Sequence, residues 1–416
     1  MRINRWAIVS LVSVLLIGPR NAAADVVLDW NAIALTNITV GAPFPTARLT
    51  AMTQLAVFEA VNAITGDYDP YLGVGTVTAP ATASQEAAAA SAAHAVLLAF
   101  FPAKAAVLDA ALALSLSAIP PGQPKVDGIA AGKAAAAAII ASRVGDGADV
   151  SQSYIPTTSE PGQWQLTAFC TAAGGGFLHW GNVSTFGITS ADQFRLGPPP
   201  NLSSGEYRKD LIEVQTGGDV NSSTRSQDRT DVARFYAAFS PVALANSAAR
   251  QVAAVQGRSV SENARGFALL NMALSDAAVA TFDSKYYYKF WRPETAVHSA
   301  ADDDNHKTEA DLLYAPLVNA PCFPSYPSAH GTLTSAAREI LERLYGPVGH
   351  NITFSIAAFP ALVYTYTDFR SIVSDVSDAR VYGGIHFRFD QDAGERLGRD
   401  IATYIFMHRM RAAHPQ

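Results

Sequence analysis

Residues 261–293 read SENARGFALLNMALSDAAVATFDSKYYYKFWRP. Alanine and leucine recur through the first two thirds of this stretch and alternating β-branched runs are missing, so Ser261 to Phe282 predicts a long helix. The same pattern extends outward in both directions. Upstream, Leu49 to Ile64, Glu86 to Phe101, Ala103 to Leu116 and Lys125 to Arg143 carry apolar residues at helical spacing, with breaks at Pro102 and Pro120-Pro121 that suit helix hairpins. The pattern resumes from Tyr207 and over Asp231 to Phe239, and downstream in Thr332 to Leu344, Pro360 to Ser377 and Asp392 to Met410. Between Gly145 and Gly205 it collapses into Gly, Pro, Ser and Thr. Loops of that length are uncommon unless functional, so this one is a candidate to cover a pocket or join two bundles. The expected fold is all-α, two packed helical bundles with long irregular connecting loops. Residues 25–205 would form an N-terminal helical region with the long loop, and 206–416 a C-terminal bundle carrying the chemistry.

The 416-residue chain is 49% hydrophobic and 16% charged, enough for a sizeable core and too apolar for a disordered tail. Thirty Lys and Arg against 36 Asp and Glu give a net charge of −6, without the basic excess of a nucleic-acid surface. Two cysteines, Cys170 and Cys322, exclude a thiolate zinc cluster and a disulfide-rich scaffold, and leave a single pairing open in an oxidising compartment. Residues 1–24 suggest such a compartment, since Arg2 and Arg5 precede an apolar run from Trp6 to Ile17 and then Ala22, Ala23 and Ala24. The run falls short of the roughly 20 residues a membrane span needs, and the small residues fit cleavage before Asp25. We therefore expect a signal peptide, a secreted or periplasmic location, and no stable membrane insertion of the mature chain.

Three segments carry chemistry. In the first, Lys285 and Arg292 stand seven residues apart, which on a helix is about two turns and would set both cations on one face. The aromatic residues around them imply burial, and buried cations need an anion between them. The second, PCFPSYPSAHG at 321–331, runs into a helical pattern, so its free N–H groups and the dipole favour a tetrahedral oxyanion. Ser328 adds a hydroxyl and His330 an imidazole able to act as acid or base near neutral pH. In the third, His386 and Asp390 are four apart, so on a helix the carboxylate would orient the ring, while Arg380 adds a bidentate oxyanion donor. Gly383 and Gly384 permit a tight backbone ahead of the histidine.

In order and internal spacing these segments resemble the signature of the vanadium-dependent haloperoxidase and type 2 phosphatidic acid phosphatase superfamily: K-x6-RP, then PSGH, then SR-x3-G-x-H-x3-D. LAVFEAVNAI at 55–64, the region from HWGNV to ADQFRLGPPP at 179–200, and DSKYYYKFWRP resemble its soluble exported bacterial haloperoxidase branch. The resemblance implies that Lys285, Arg292 and Arg380 hold the equatorial oxygens of vanadate, with Ser328 and the Ala329 N–H adding hydrogen bonds. His386 would be the ligand to vanadium, oriented by Asp390, and His330 the acid–base group on the opposite side. Two positions depart from the pattern: the glycine of PSGH is Ala329 and the serine before the arginine is Ala379. Ala329 keeps its N–H, but its methyl group restricts the backbone and threatens to crowd the pocket. Phe323 occupies the position associated with the halide pocket.

The implied activity is oxidation of a halide by hydrogen peroxide to hypohalous acid, with an organic acceptor downstream and vanadate as a Lewis acid that keeps its oxidation state. An exported acid phosphatase is the alternative, with His386 as nucleophile forming a phosphohistidine and His330 protonating the leaving alcohol. A non-catalytic oxyanion-binding protein is the alternative of another class. Vanadate separates them, as it would activate a haloperoxidase and inhibit a phosphatase. The halide, the acceptor, the Cys170–Cys322 pairing and a homodimer stay open.

Overall fold

A computed structural model describes residues 25–413, so the expected signal peptide at 1–24 lies outside the described residues. Helices α1 (Val26–Asn37), α2 (Pro43–Thr65), α3 (Gln85–Phe100), α4 (Ala105–Ser117) and α5 (Gln123–Ser142) form the first bundle. Small residues set how closely they pack: a Cβ on Gly132 of α5 would stand 2.4 Å from the Ala88 carbonyl oxygen of α3. The second bundle holds α6 (Gly205–Gly218), α7 (Gln227–Ala238), α8 (Pro241–Gln256), α9 (Val260–Tyr288), α10 (Pro293–His298), α11 (Ala329–Tyr345), α12 (Phe369–Tyr382) and α13 (Arg388–His408). Among the described residues, no helix is long and apolar enough to cross a membrane.

Helix α9 is the axis of the molecule. A capping box of Ser259 and Glu262 starts it, and its 29 residues are buried on nearly every side because α2 covers it from the first bundle and α11 and α13 from the second. α11 and α13 meet even more closely, since a Cβ on Gly398 would lie 2.1 Å from the Thr332 carbonyl oxygen and one on Gly394 would lie 2.7 Å from that of Ser328. This contact matters for function because Ser328 caps α11 and Asp390 lies in the first turn of α13.

One expected helix is wrong. Pro360 to Ser377 is split between a strand and the start of α12. Val363–Asp368 forms β2, which pairs antiparallel with β1 (Val348–Ser355), and Asp368 caps α12 by accepting from the Ser371 N–H at 2.7 Å. The local VYTYT run is β-branched and aromatic, with Tyr366 buried and its neighbours Thr365 and Thr367 exposed, which is the period of a strand. Helices α1, α8 and α10 were not anticipated.

The segment from 145 to 205 is irregular, as expected, apart from a 3₁₀ turn at Leu178–Asn182. It is nevertheless pinned to the helices. Asp276, fully buried on α9, accepts the backbone N–H groups of Phe186, Gly187 and Ile188 at 2.7, 2.6 and 2.9 Å. Arg195 closes a two-bond fork on Asp283 at 2.7 and 2.6 Å. Asp276→Ala would leave three N–H groups buried without acceptors, so it should cost about 3 kcal/mol of stability, read as a lower denaturant midpoint at neutral pH.

Candidate functional site

The two cations of the first segment do not share a helix face. α9 ends at Tyr288, Lys289 turns the chain in the left-handed region at φ 50°, and Arg292 is the cap residue before Pro293 opens α10. The side chains converge through a different device. Lys285 Nζ donates to the carbonyls of Pro324 and Ser325, both at 2.7 Å, and Arg292 Nε donates to the Phe323 carbonyl at 2.8 Å. Three successive carbonyls of the Pro-bounded loop thus hold both cations. Arg292 Nη1 also donates to the Ile385 carbonyl at 2.9 Å, which fastens this loop to the third segment.

That segment also differs from a simple helical pair. His386 precedes α13, and Asp390 lies in the first turn, so the two meet across a helix start. His386 Nδ1 is 2.8 Å from Asp390 Oδ2, and the same oxygen accepts from the Phe387 N–H at 3.1 Å. His386 Nε2 lies 3.1 Å from Arg292 Nη1, a donor, which places the proton of the neutral ring on Nδ1 and the lone pair on Nε2. Gly384 is required where it stands: its φ is 78° and a Cβ would meet the Gly218 carbonyl oxygen at 2.6 Å.

At the second segment, Ser328 is the N-cap of α11, its Oγ accepting from the Gly331 N–H at 3.2 Å, so its hydroxyl proton stays available. Ala329 opens that helix in right-handed geometry, and its methyl group carries no backbone penalty there. His330 follows in the same turn and keeps part of its surface exposed.

The residue gathered last is Arg380, in the final turn of α12 and 3% exposed. Among the described residues, its Nε and Nη1 have no hydrogen-bond partner, and neither do Arg292 Nη2 or Asp390 Oδ1. Buried donors are almost always paired, so three unpartnered guanidinium nitrogens mark this place as a candidate anion site. Lys285, Arg292 and Arg380 face a single carboxylate, which leaves an excess of positive charge. Burial pulls Lys285 well below the usual lysine range and the charge of Arg292 adds to the fall. Burial and then the nearby cations also hold His330 and His386 well below the usual histidine range, so both are neutral bases at neutral pH. Burial raises Asp390 to about 6, against the opposing hydrogen bond from Ser325.

The first bundle closes the site. Phe44 of α2, Phe177 of the long loop, Phe282 of α9 and Phe323 pack in mutual contact, with ring centroids 4.5–6.5 Å apart. Phe323 lies 5.3 Å from Lys285 Nζ and 5.1 Å from Arg292 Cζ. Cys170 and Cys322 form a disulfide that ties the long loop to the residue before Phe323, and the Gly176 N–H donates to the Cys322 carbonyl at 2.9 Å. The structure brings Lys285, Arg292, Arg380, His330, His386, Asp390 and Phe323 together here, with Ser328 and Ala329 at the start of the helix that carries His330. Reading the sequence missed Ser325, Phe44 and Phe177. Ser325 was within view, set between the two prolines of a loop already singled out, whereas no local signal marks the two phenylalanines.

Residues 265–415 match the family model described as the VCPO second helical-bundle domain. Over that region the chain is similar to the vanadium haloperoxidases. It is 28% identical over 200 residues to a vanadium chloroperoxidase of Curvularia inaequalis, a match covering 41% of this chain and spanning only 33% of that protein. In fold it is similar to a bacterial vanadium-dependent iodoperoxidase, with TM-score 0.76 and 22% identity over 94% of this chain and 97% of the other. An apo-type bacterial vanadium-dependent chloroperoxidase aligns at TM-score 0.70 with 16% identity, over 91% and 98% of the two chains. Among the described residues, no three of His, Cys, Asp and Glu converge to chelate a metal cation.

Orphaned buried charge is costly in the anion-free protein. Arg380→Met should raise the stability of the apoprotein by about 1–3 kcal/mol, and added vanadate should raise the melting temperature of the wild type but not of this variant. Thermal melts with and without excess vanadate check both.

Proposed function

We propose that the protein is a vanadate-dependent haloperoxidase that oxidises a halide with hydrogen peroxide to hypohalous acid, for use on an organic acceptor. The observation that carries this reading is the set of buried donors without a partner among the described residues, Arg292 Nη2 and Arg380 Nε and Nη1, beside a neutral histidine whose lone pair lies on Nε2, 3.1 Å from Arg292 Nη1. Vanadate fits these residues. Lys285, Arg292 and Arg380 would hold its oxygens with the Ser328 hydroxyl and the Ala329 N–H, and His386 Nε2 would ligate the metal. Bound there, vanadate supplies Lewis acidity without a change of oxidation state.

The chain's own groups do the remaining work. An ammonium has three N–H donors and Lys285 gives two to carbonyls, so one is left to polarise an oxygen in the cage. His330, neutral and partly exposed, can take a proton from incoming peroxide. Phe323, beside both cations, offers a dry surface next to the reacting centre, in keeping with a halide pocket. The similar proteins are named for chloride and iodide, and their names leave this chain's halide open. The disulfide supports export to an oxidising compartment, as the sequence of residues 1–24 suggests.

Apoprotein supplied with vanadate, peroxide and bromide or iodide should gain halide oxidation. His386→Ala should lose it while keeping the helical far-UV signal, and Lys285→Ala should still bind vanadate yet turn over about 100-fold more slowly. Phosphate release from a phosphomonoester without vanadate, with no halide oxidised, would replace this reading with the phosphatase.

A further inference from the structure

We infer that Ser325 is a positioning residue for His386, holding the imidazole through the Asp390 carboxylate so that Nε2 faces the cage. The inference rests on the cage being the vanadate site. Ser325 lies outside the family-like PSAH motif, three residues before Ser328. Its hydroxyl is fully buried and donates to Asp390 Oδ2 at 2.5 Å, and it lies 3.3 Å from His386 Nδ1. Serine, carboxylate oxygen and imidazole nitrogen therefore form a closed triangle.

Among the described residues, Asp390 Oδ2 collects three donors, from His386, Ser325 and the Phe387 backbone, while Oδ1 has none. The backbone donor belongs to the same helix start as the carboxylate and moves with it. Ser325 alone ties the carboxylate to a different segment. Its backbone is fixed too: its N–H donates to the Phe290 carbonyl at 2.9 Å and its carbonyl accepts from Lys285 Nζ at 2.7 Å. One residue thus links the lysine on one side of the cage to the histidine on the other, and a displacement of either is felt by both. Without the hydroxyl, the carboxylate loses the anchor that sets the direction in which it receives the Nδ1 proton, and the ring gains freedom to turn.

Full-length apoprotein labelled with ¹⁵N-histidine provides the test, in the wild type, Ser325→Ala, Ser325→Thr and Ser325→Cys. Ser325→Ala should shift the His386 ring-nitrogen resonances and weaken vanadate binding, measured by calorimetry, about tenfold or more. Inorganic phosphate, which needs no nitrogen ligand, should lose much less. Ser325→Thr should restore the resonances and the affinity, and Ser325→Cys, a weaker donor, should give a smaller shift of the same sign even if alanine impairs folding. Unchanged His386 resonances with vanadate affinity within about twofold of wild type would overturn the inference. If the wild type binds neither oxyanion, the cage reading falls on its own, and the His386 resonances still decide the role of Ser325.

Discussion

Everything in this molecule turns on keeping three cations dry with one carboxylate among them. A buried charge left without partners costs several kcal/mol, so Lys285, Arg292 and Arg380 can persist only if dipoles replace water around them. The chain supplies those dipoles mostly from backbone. The carbonyls of Phe323, Pro324, Ser325 and Ile385 take the donors that point away from the cage, and the donors that point into it are left open. Selectivity for an anion follows from that division, because carbonyls compensate charge without neutralising it.

Such an arrangement needs rigid supports, and the supports are close contacts between helices. Glycines 394 and 398 let α13 approach the α11 backbone within the distance of a single Cβ, which fixes Asp390 relative to Ser328, and the Ser328 N–H donates to the Asp390 carbonyl at 2.9 Å. Gly384 plays the matching part at the end of α12, bringing His386 under the turn after α6. Ala329 is compatible with this frame because the helix has begun at that position, so a glycine's freedom is not needed there. The departure from the family pattern is conformationally neutral for the backbone.

The long helices were legible in the sequence because burial on a helix leaves a repeating apolar pattern, and α9 and α11 keep it over many turns. The site residues were legible because their spacing resembles a family signature. The geometry joining them was not. Lys285 and Arg292 read as neighbours on one helix face, yet a left-handed Lys289 separates them, and residue spacing carries no mark of where a helix will stop when an aromatic run continues through the stop. Strand β2 falls inside the stretch from Pro360 to Ser377 that reads as helix, because its strand signal is only six residues long. Asp276 works through partners 88–90 residues away and Ser325 through one 65 residues away, and single-residue polarity does not announce such partners.

The first bundle supplies none of the charged groups of the cage, and this explains what it is for. Hydrogen bonds and charge attractions in the cage are strong only while water is kept out, since the same pair is weaker by an order of magnitude in a high dielectric. Phe44 and Phe177 come from outside the second bundle and complete the aromatic cluster whose Phe323 lies beside Lys285 and Arg292. Asp276 and the Cys170–Cys322 disulfide hold the long loop that delivers Phe177 in its left-handed turn at φ 62°. The second bundle makes the charge and the first sets the dielectric in which that charge acts. Loosening the loop would therefore weaken the chemistry without touching a single group that contacts the anion.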